Sequence, residues 1–235
     1  MAAAGSPRLI VERLGCVPYA QALDYQHALR ARLQSREQPA GSPAGYLLCL
    51  EHPMVVTLGK RGEPSDLRDL GWLEANGVEV HKVDRGGEAT FHEPGQLVIY
   101  PVVRLDALGI GVVDVVRRLA DALARTAATW GVALVYDKEH PGLWTVQDPP
   151  RKMASVGMRS SGGVSTHGAA INLTNELIGF SKIVACGMPD VAMTRLVDHL
   201  DGAEREAFTF EVFRERFLLE FSALVGAELE AGDGG

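Results

Sequence analysis

Cysteine is scarce in this sequence and comes unpaired. The three cysteines, Cys16, Cys49 and Cys186, form no CxxC pair, which argues against a disulfide framework and a structural zinc site. Clustered cations are missing too. The formal charge is −7 and no lysine- or arginine-rich block occurs, so nucleic acid is a poor partner, because affinity for a phosphate backbone needs clustered positive charge. No apolar run reaches the length of a bilayer span, and the start, MAAAGSPRLIVERLG, lacks the basic segment and apolar core of a secretory signal. GxGxxG and phosphate-loop patterns are absent, as is any HxxxH spacing, so neither a dinucleotide, a triphosphate nor a metal is supported. The expectation is a cytoplasmic protein in a reducing compartment, with no metal, no cofactor and no membrane or nucleic-acid partner.

What is present reads as one α/β domain. A chain of 235 residues, 46% hydrophobic, can build one sizeable core. Leu9–Glu12 alternates as an opening strand, and Tyr19–Gln34 carries a helical stripe at Ala22, Leu23, Leu29 and Leu33. SREQPAGSPAG is a loop; YLLCLEHP and VVTLGK are short buried strands. Asp66–Asn76 reads as a helix ended by Gly77, followed by the strand VEVHKVD. QLVIYPVV is a further strand, and Val113–Trp130 is an amphipathic helix stopped by Gly131. VALVYD and GLWTV are strands, and Lys152–Arg159 and Val164–Leu173 form a hairpin around SSGG. Phe210–Leu224 is a final helix and EAGDGG a disordered tail. With no repeat or composition break, residues 1–235 form a single domain with an ordered core of about 9–224.

Three stretches are out of keeping with plain sheet packing. RGGEATFHEPGQLVIYP, from Arg85 to Pro101, threads a double glycine, a histidine and Pro-Gly through strand-like sequence, although glycine weakens a strand and proline cannot donate to its ladder. Gly86 and Gly87 form either a turn or an amide nest for an anion or carbonyl. In the hairpin, SVG (Ser155 to Gly157) faces HGAA (His167 to Ala170), which makes either a slot for a slender ligand or a close sheet crossing. In KIVACGMPD, Cys186 ends an apolar run just before a glycine, where its thiol can face a site or sit in a core. Lys152 begins the strand that continues into the slot, either solvated or turned inward, where its ammonium would stabilise a thiolate and its neutral amine would take a proton. His92 and His167 are candidate acids, bases or ordinary structural histidines. Ser165 lies two residues from His167, but no carboxylate is visibly placed to orient that ring, so a hydrolase triad is weak.

Taken together, the stretches RGGEATFHEPGQLVIYP, RKMASVGMRSSGGVSTHGAAINL and IVACGM resemble the lipoyl(octanoyl) transferase family of lipoate biosynthesis, over roughly Leu9 to Leu224. The resemblance implies an α/β fold with a larger and a smaller mixed sheet and flanking helices, shared with lipoate and biotin protein ligases. It implies Cys186 as the acyl-thioester nucleophile and Lys152 as its activating partner. It implies an acyl site lined by Arg85, Gly86, Gly87, Glu88, Ala89, Thr90, Phe91, His92, Ser155, Val156, Gly157, Gly168, Ala169 and Ala170. The implied donor is octanoyl-acyl carrier protein. The implied acceptors are lipoyl domains of 2-oxoacid dehydrogenase complexes and the glycine cleavage H protein. Two positions depart from the usual family pattern: Glu93 replaces a glycine and Arg195 a serine. At a positive φ, Glu93 would cost about 1 kcal/mol or more. An ATP-using ligase on the same fold, an acyl-binding module without catalysis and a cysteine hydrolase are the rival readings.

Overall fold

The computed structural model describes residues 6–35, 39 and 41–232. Two sheets organise the chain. The larger has eight strands in the order β11-β1-β2-β6-β10-β9-β8-β7, made by β1 (Arg8–Cys16), β2 (Gly45–Glu51), β6 (Gln96–Val103), β7 (Leu134–Asp137), β8 (Gly142–Thr145), β9 (Lys152–Ser161), β10 (Val164–Asn172) and β11 (Glu228–Ala231). The smaller has three in the order β4-β3-β5, from β3 (Val55–Leu58), β4 (Glu79–Lys82) and β5 (Ala89–His92). Pairing is mixed: β11, β1 and β2 run parallel, whereas β2, β6, β10, β9, β8 and β7 alternate.

Near-continuous apolar runs form the central strands because both sheet faces are covered. On one face, Leu97, Ile99, Ala169 and Ile171 pack with Val115, Leu119 and Leu123 of α4 (Val112–Ala128) and with Phe213, Phe217 and Phe221 of α6 (Phe210–Val225). On the other, Leu48, Leu50, Val98 and Tyr100 meet Ala22, Leu29 and Leu33 of α1 (Tyr19–Gln34). Phe91 and Phe180 anchor a separate cluster in the smaller sheet. No described helix is long and apolar enough to cross a membrane.

Most expected elements form where the sequence places them, with instructive exceptions. The helix expected over Asp66–Asn76 is split into a 3-10 turn at Pro64–Asp66 and the short α2 (Leu70–Ala75). Leu67 bridges to Ile183 between them, and Asp69 restarts the helix by accepting the Trp72 N–H at 3.0 Å. The expected disordered tail is corrected in part. Glu230 and Ala231 belong to β11, which pairs in parallel with β1 and places Glu230 on Arg8 at 2.6 Å. Residues 233–235, like 36–38 and 40 of the expected loop, lie outside the described residues. Short α3 (Leu105–Leu108) and α5 (Gly202–Ala207) carried no helical stripe long enough to be read from sequence.

The hairpin closes at Gly162 and Gly163, so that Gly157 pairs with Gly168, Val156 with Ala169 and Ser155 with Ala170. A Cβ at Gly168 would lie 1.9 Å from the Ile99 carbonyl oxygen, so this glycine serves the close crossing of β10 and β6. Gly168→Ala is therefore expected to destabilise the fold by about 3 kcal/mol or more. Denaturant unfolding checks this, and a loss below about 1 kcal/mol would contradict the register.

Candidate active site

Between the two sheets lies a cavity of about 490 Å³. Strand alternation sets its walls. Thr90 and His92 project from β5, Val98 and Tyr100 from β6, Ser155 from β9 and Ala170 from β10, with Gly157 and Gly168 leaving bare backbone among them. Arg85, Gly86, Gly87, Glu88 and Ala89 form one rim; Cys186 and Lys152 stand together at one side. Of the expected acyl-site residues, Phe91 alone is absent from the wall. It points the other way, fully buried, with its ring 6.1 Å from that of Phe180. Val156 and Ala169 border the cavity while packing with the helix-side core.

Lys152 and Cys186 converge although 34 residues apart: Nζ donates to Sγ at 3.1 Å. Lys152 is completely buried rather than a solvated strand end. Its backbone is held by the segment after the cysteine loop, with Lys152 N–H donating to Ala192 O at 2.8 Å and Thr194 N–H to Lys152 O at 2.9 Å. Its ammonium lies 5.2 Å from the centre of the Trp144 ring, within range of the ring's negative face. Gly142 gives it passage: a Cβ there would fall 2.6 Å from Lys152 Cε and 3.2 Å from Nζ.

Cys186 adopts φ 55°, a left-handed conformation costing a non-glycine residue about 1–2 kcal/mol. Its N–H donates to Ala89 O at 2.9 Å, which ties the loop carrying Cys186 to the start of β5, and Gly187 continues the turn at φ 68°. Ser155 Oγ stands 3.8 Å from Sγ. Of the other cysteines, burial pushes Cys49 up to about 12, and burial, then Glu51, raises exposed Cys16.

The double glycine lies in a bend held against two neighbouring segments. Gly86 N–H is directed to Met158 O at 3.4 Å, and the carbonyls of Arg85, Gly87 and Glu88 accept from Lys60, Arg61 and Gly59. Arg85 lies in the wall, donating to Thr57 O at 2.7 Å and to Gly86 O at 3.0 Å, and burial lowers its pKa. Glu93 causes no backbone strain, since it is not among the residues of positive φ. It is buried and accepts from Asn175 Nδ2 at 2.9 Å and Leu177 N–H at 2.8 Å.

A polar group of rings, unforeseen in the sequence, occupies the wall near β5 and β6. Gln96 Nε2 donates to Asn172 Oδ1 at 2.9 Å and to Phe91 O at 3.2 Å, so its Oε1 must accept from His92 Nδ1 at 2.7 Å. His52 lies between Val17 O at 2.6 Å and the Tyr100 hydroxyl at 2.8 Å; the carbonyl takes its Nδ1 proton, and Nε2 accepts from Tyr100. Tyr19 stacks on His92 at 6.2 Å. Burial pushes His52 down to about 4 and His92 down to about 3, so both rings are neutral at pH 7. His167 does have an orienting carboxylate, contrary to the sequence reading: Asp84 Oδ1 lies 2.8 Å from its Nε2. Ser165 is nevertheless committed elsewhere, donating to Pro101 O at 2.6 Å and accepting from Val103 N–H at 3.2 Å, so it forms no triad. Among the described residues no group of three or more His, Cys, Asp or Glu side chains could hold a metal ion.

This two-sheet scaffold is the catalytic fold of lipoate and biotin protein ligases. It matches lipoate-protein ligase A bound with ATP at TM-score 0.74 and 16% identity, over 96% of this chain and 88% of that one. It matches biotin protein ligase from Aquifex aeolicus in complex with biotin and ATP at TM-score 0.51 and 12% identity, over 92% and 70%. Sequence narrows the class, because the lipoyl protein ligase A/B catalytic domain model matches residues 18–222. The octanoyltransferase of Corynebacterium efficiens is 42% identical over 190 residues, 79% of this chain and 71% of the relative. That of Acidobacterium capsulatum is 35% identical over 227 residues, 92% and 89%. The chain belongs to the octanoyltransferase family, and is thus an acyltransferase.

Two outcomes follow from the site's electrostatics. Neutral buried histidines leave the folded chain short of protons that the unfolded chain binds, so the stability they contribute is full above pH 6.5 and lost as pH falls toward about 4 for His52 and about 3 for His92. Unfolding free energy should fall by about 1.4 kcal/mol per pH unit per histidine across that window, with a shallower slope in His92→Gln; an unchanged slope would contradict a buried neutral ring. At neutral pH, iodoacetamide should label Cys186 first, Cys16 later and Cys49 only on unfolding. Peptide mapping reads the order, and Cys16 ahead of Cys186 would contradict it.

Proposed function

We propose that this enzyme moves an octanoyl group from octanoyl-acyl carrier protein to a lysine of a lipoyl domain through a thioester on Cys186. The observation that carries the reading is the 3.1 Å approach of a fully buried lysine to a cysteine in the wall of a narrow cavity. Family membership supports octanoyl transfer. The donor, the covalent step and the acceptors are the proposal's own content.

The steps balance around one proton. Cys186 begins as thiolate beside the Lys152 ammonium. The sulfur attacks the thioester carbonyl, the bond to the carrier's sulfur breaks, and the departing thiolate takes the Lys152 proton. Octanoyl is then on Cys186 and Lys152 is neutral. A neutral acceptor amine attacks the same carbonyl, loses its proton to Lys152 and expels the Cys186 thiolate, which restores the starting state. A thioester exchanged for a thioester is close to energy-neutral, and amide formation runs downhill, so no nucleotide is needed. Cysteine suits both transfers because its anion attacks and departs readily. Apolar wall such as Val98, Ala170 and the Ser155–Gly157 strand would hold the acyl tail, at about 0.8 kcal/mol per buried methylene. The proposed acceptors are lipoyl domains of 2-oxoacid dehydrogenase complexes and the glycine cleavage H protein.

Cys186→Ala is expected to abolish transfer to a lipoyl domain. Lys152→Arg should cut it by about 10²-fold or more, because arginine keeps the charge but cannot act as a base. Octanoyl incorporation read by acceptor mass checks both. Full activity with arginine at 152 would restrict that residue to electrostatics, and activity without Cys186 that strictly requires ATP and free acid would favour the ligase reading.

A further inference from the structure

Glu93 and Arg195, the two departures noted in the sequence, grip the same turn from different connecting segments. Glu93, in the β5–β6 connection, accepts from Asn175 Nδ2 at 2.9 Å and Leu177 N–H at 2.8 Å. Arg195 donates to Thr174 O at 3.0 Å and Asn175 O at 2.8 Å, and its Nε pairs with Asp198 at 3.0 Å. The turn follows directly on Asn172, whose amide links it to the site. Its Oδ1 accepts from Asn175 Nδ2 at 3.2 Å and Gln96 Nε2 at 2.9 Å, and its Nδ2 donates to Thr194 O at 3.0 Å. Both acceptors facing Asn175 require its nitrogen, which fixes that amide's orientation. Thr194 is the residue whose N–H holds the Lys152 carbonyl, and Met193 bridges Lys152 in parallel.

We propose that Glu93 and Arg195 are positioning residues: clamping the turn at 174–177 from both sides, they hold Asn172 and the 192–195 segment so that Lys152 stays on Cys186. The segment at 192–195 is held on one side by Lys152 and on the other by Asn172 and Arg195. Releasing either clamp leaves the segment secured on fewer sides, and the start of β9 with it. The inference rests on reading Lys152 and Cys186 as the reactive pair.

The test is the rate of Cys186 alkylation by iodoacetamide in the full chain, followed by peptide mapping, with Cys16 as internal reference and melting recorded for each variant. Glu93→Ala and Arg195→Ala should each slow Cys186 about fivefold, the equivalent of one net hydrogen bond. Combined, they should be little slower than the worse single change, because both release one turn. Glu93→Gln, which keeps an acceptor oxygen for the Leu177 N–H, should recover most of the rate. Partly exposed Arg195 carries the test alone if Glu93→Ala does not fold. Wild-type rates in folded alanine variants would overturn the proposal. So would a glutamine variant as slow as alanine, since the effect would then follow general loosening. Lys152→Ala separates the two levels: if it leaves Cys186 unaffected, the reactive pair itself is wrong; if it slows Cys186 and the clamp variants do not, only the clamp is wrong.

Discussion

An ammonium sealed from water and set on a thiol is the constraint around which this molecule is arranged. Removing a charge from solvent costs several kcal/mol unless a partner compensates. No carboxylate pairs with Lys152 among the described residues; its contacts are Cys186 Sγ at 3.1 Å and the Trp144 ring at 5.2 Å. The Cys186 sulfur is thus the group placed to serve as counter-ion in the proposed reaction. In the proposed relay, acylation of that sulfur would leave Lys152 behind as a base.

Much of the surrounding structure serves that contact. Gly142 clears the path of the lysine stem, while β8 carries the tryptophan that faces the ammonium. Cys186 is kept in a left-handed turn by its hydrogen bond to Ala89, which joins its loop to the start of β5. The neutral histidines suit the proposed apolar cargo, since a charged ring in that wall would draw in water. Their neutrality comes from burial, with Gln96, Val17 and Tyr100 fixing which nitrogen carries the proton.

The parts legible in the sequence were those with local chemistry. The hairpin followed from its glycine turn, its register to within a residue or two, and the helix at α4 from its apolar period. Cys186 and Lys152 were each ambiguous alone; the motif resemblance paired them, and the structure brings them together. What could not be read depended on distant contacts. Tyr19 looks like an ordinary first residue of a helix, and its place over His92 arises only when α1 crosses both sheets. Asp84 reaches His167 across 83 residues, which no spacing rule detects. Phe91 was assigned to the wall because it lies inside the motif, but strand alternation turns it away from its neighbours Thr90 and His92. Glu230 and Ala231 of the expected tail join a strand because β1 presents an open edge, a property of the folded sheet rather than of local composition.

The most direct measurement is the intact mass of the protein after incubation with octanoyl-acyl carrier protein in the absence of any acceptor, followed by peptide mapping. A thioester-relay enzyme gives one octanoyl adduct, located on Cys186 and discharged when a lipoyl domain is added. An unmodified mass under conditions where transfer proceeds, or an adduct on another residue, would contradict the relay.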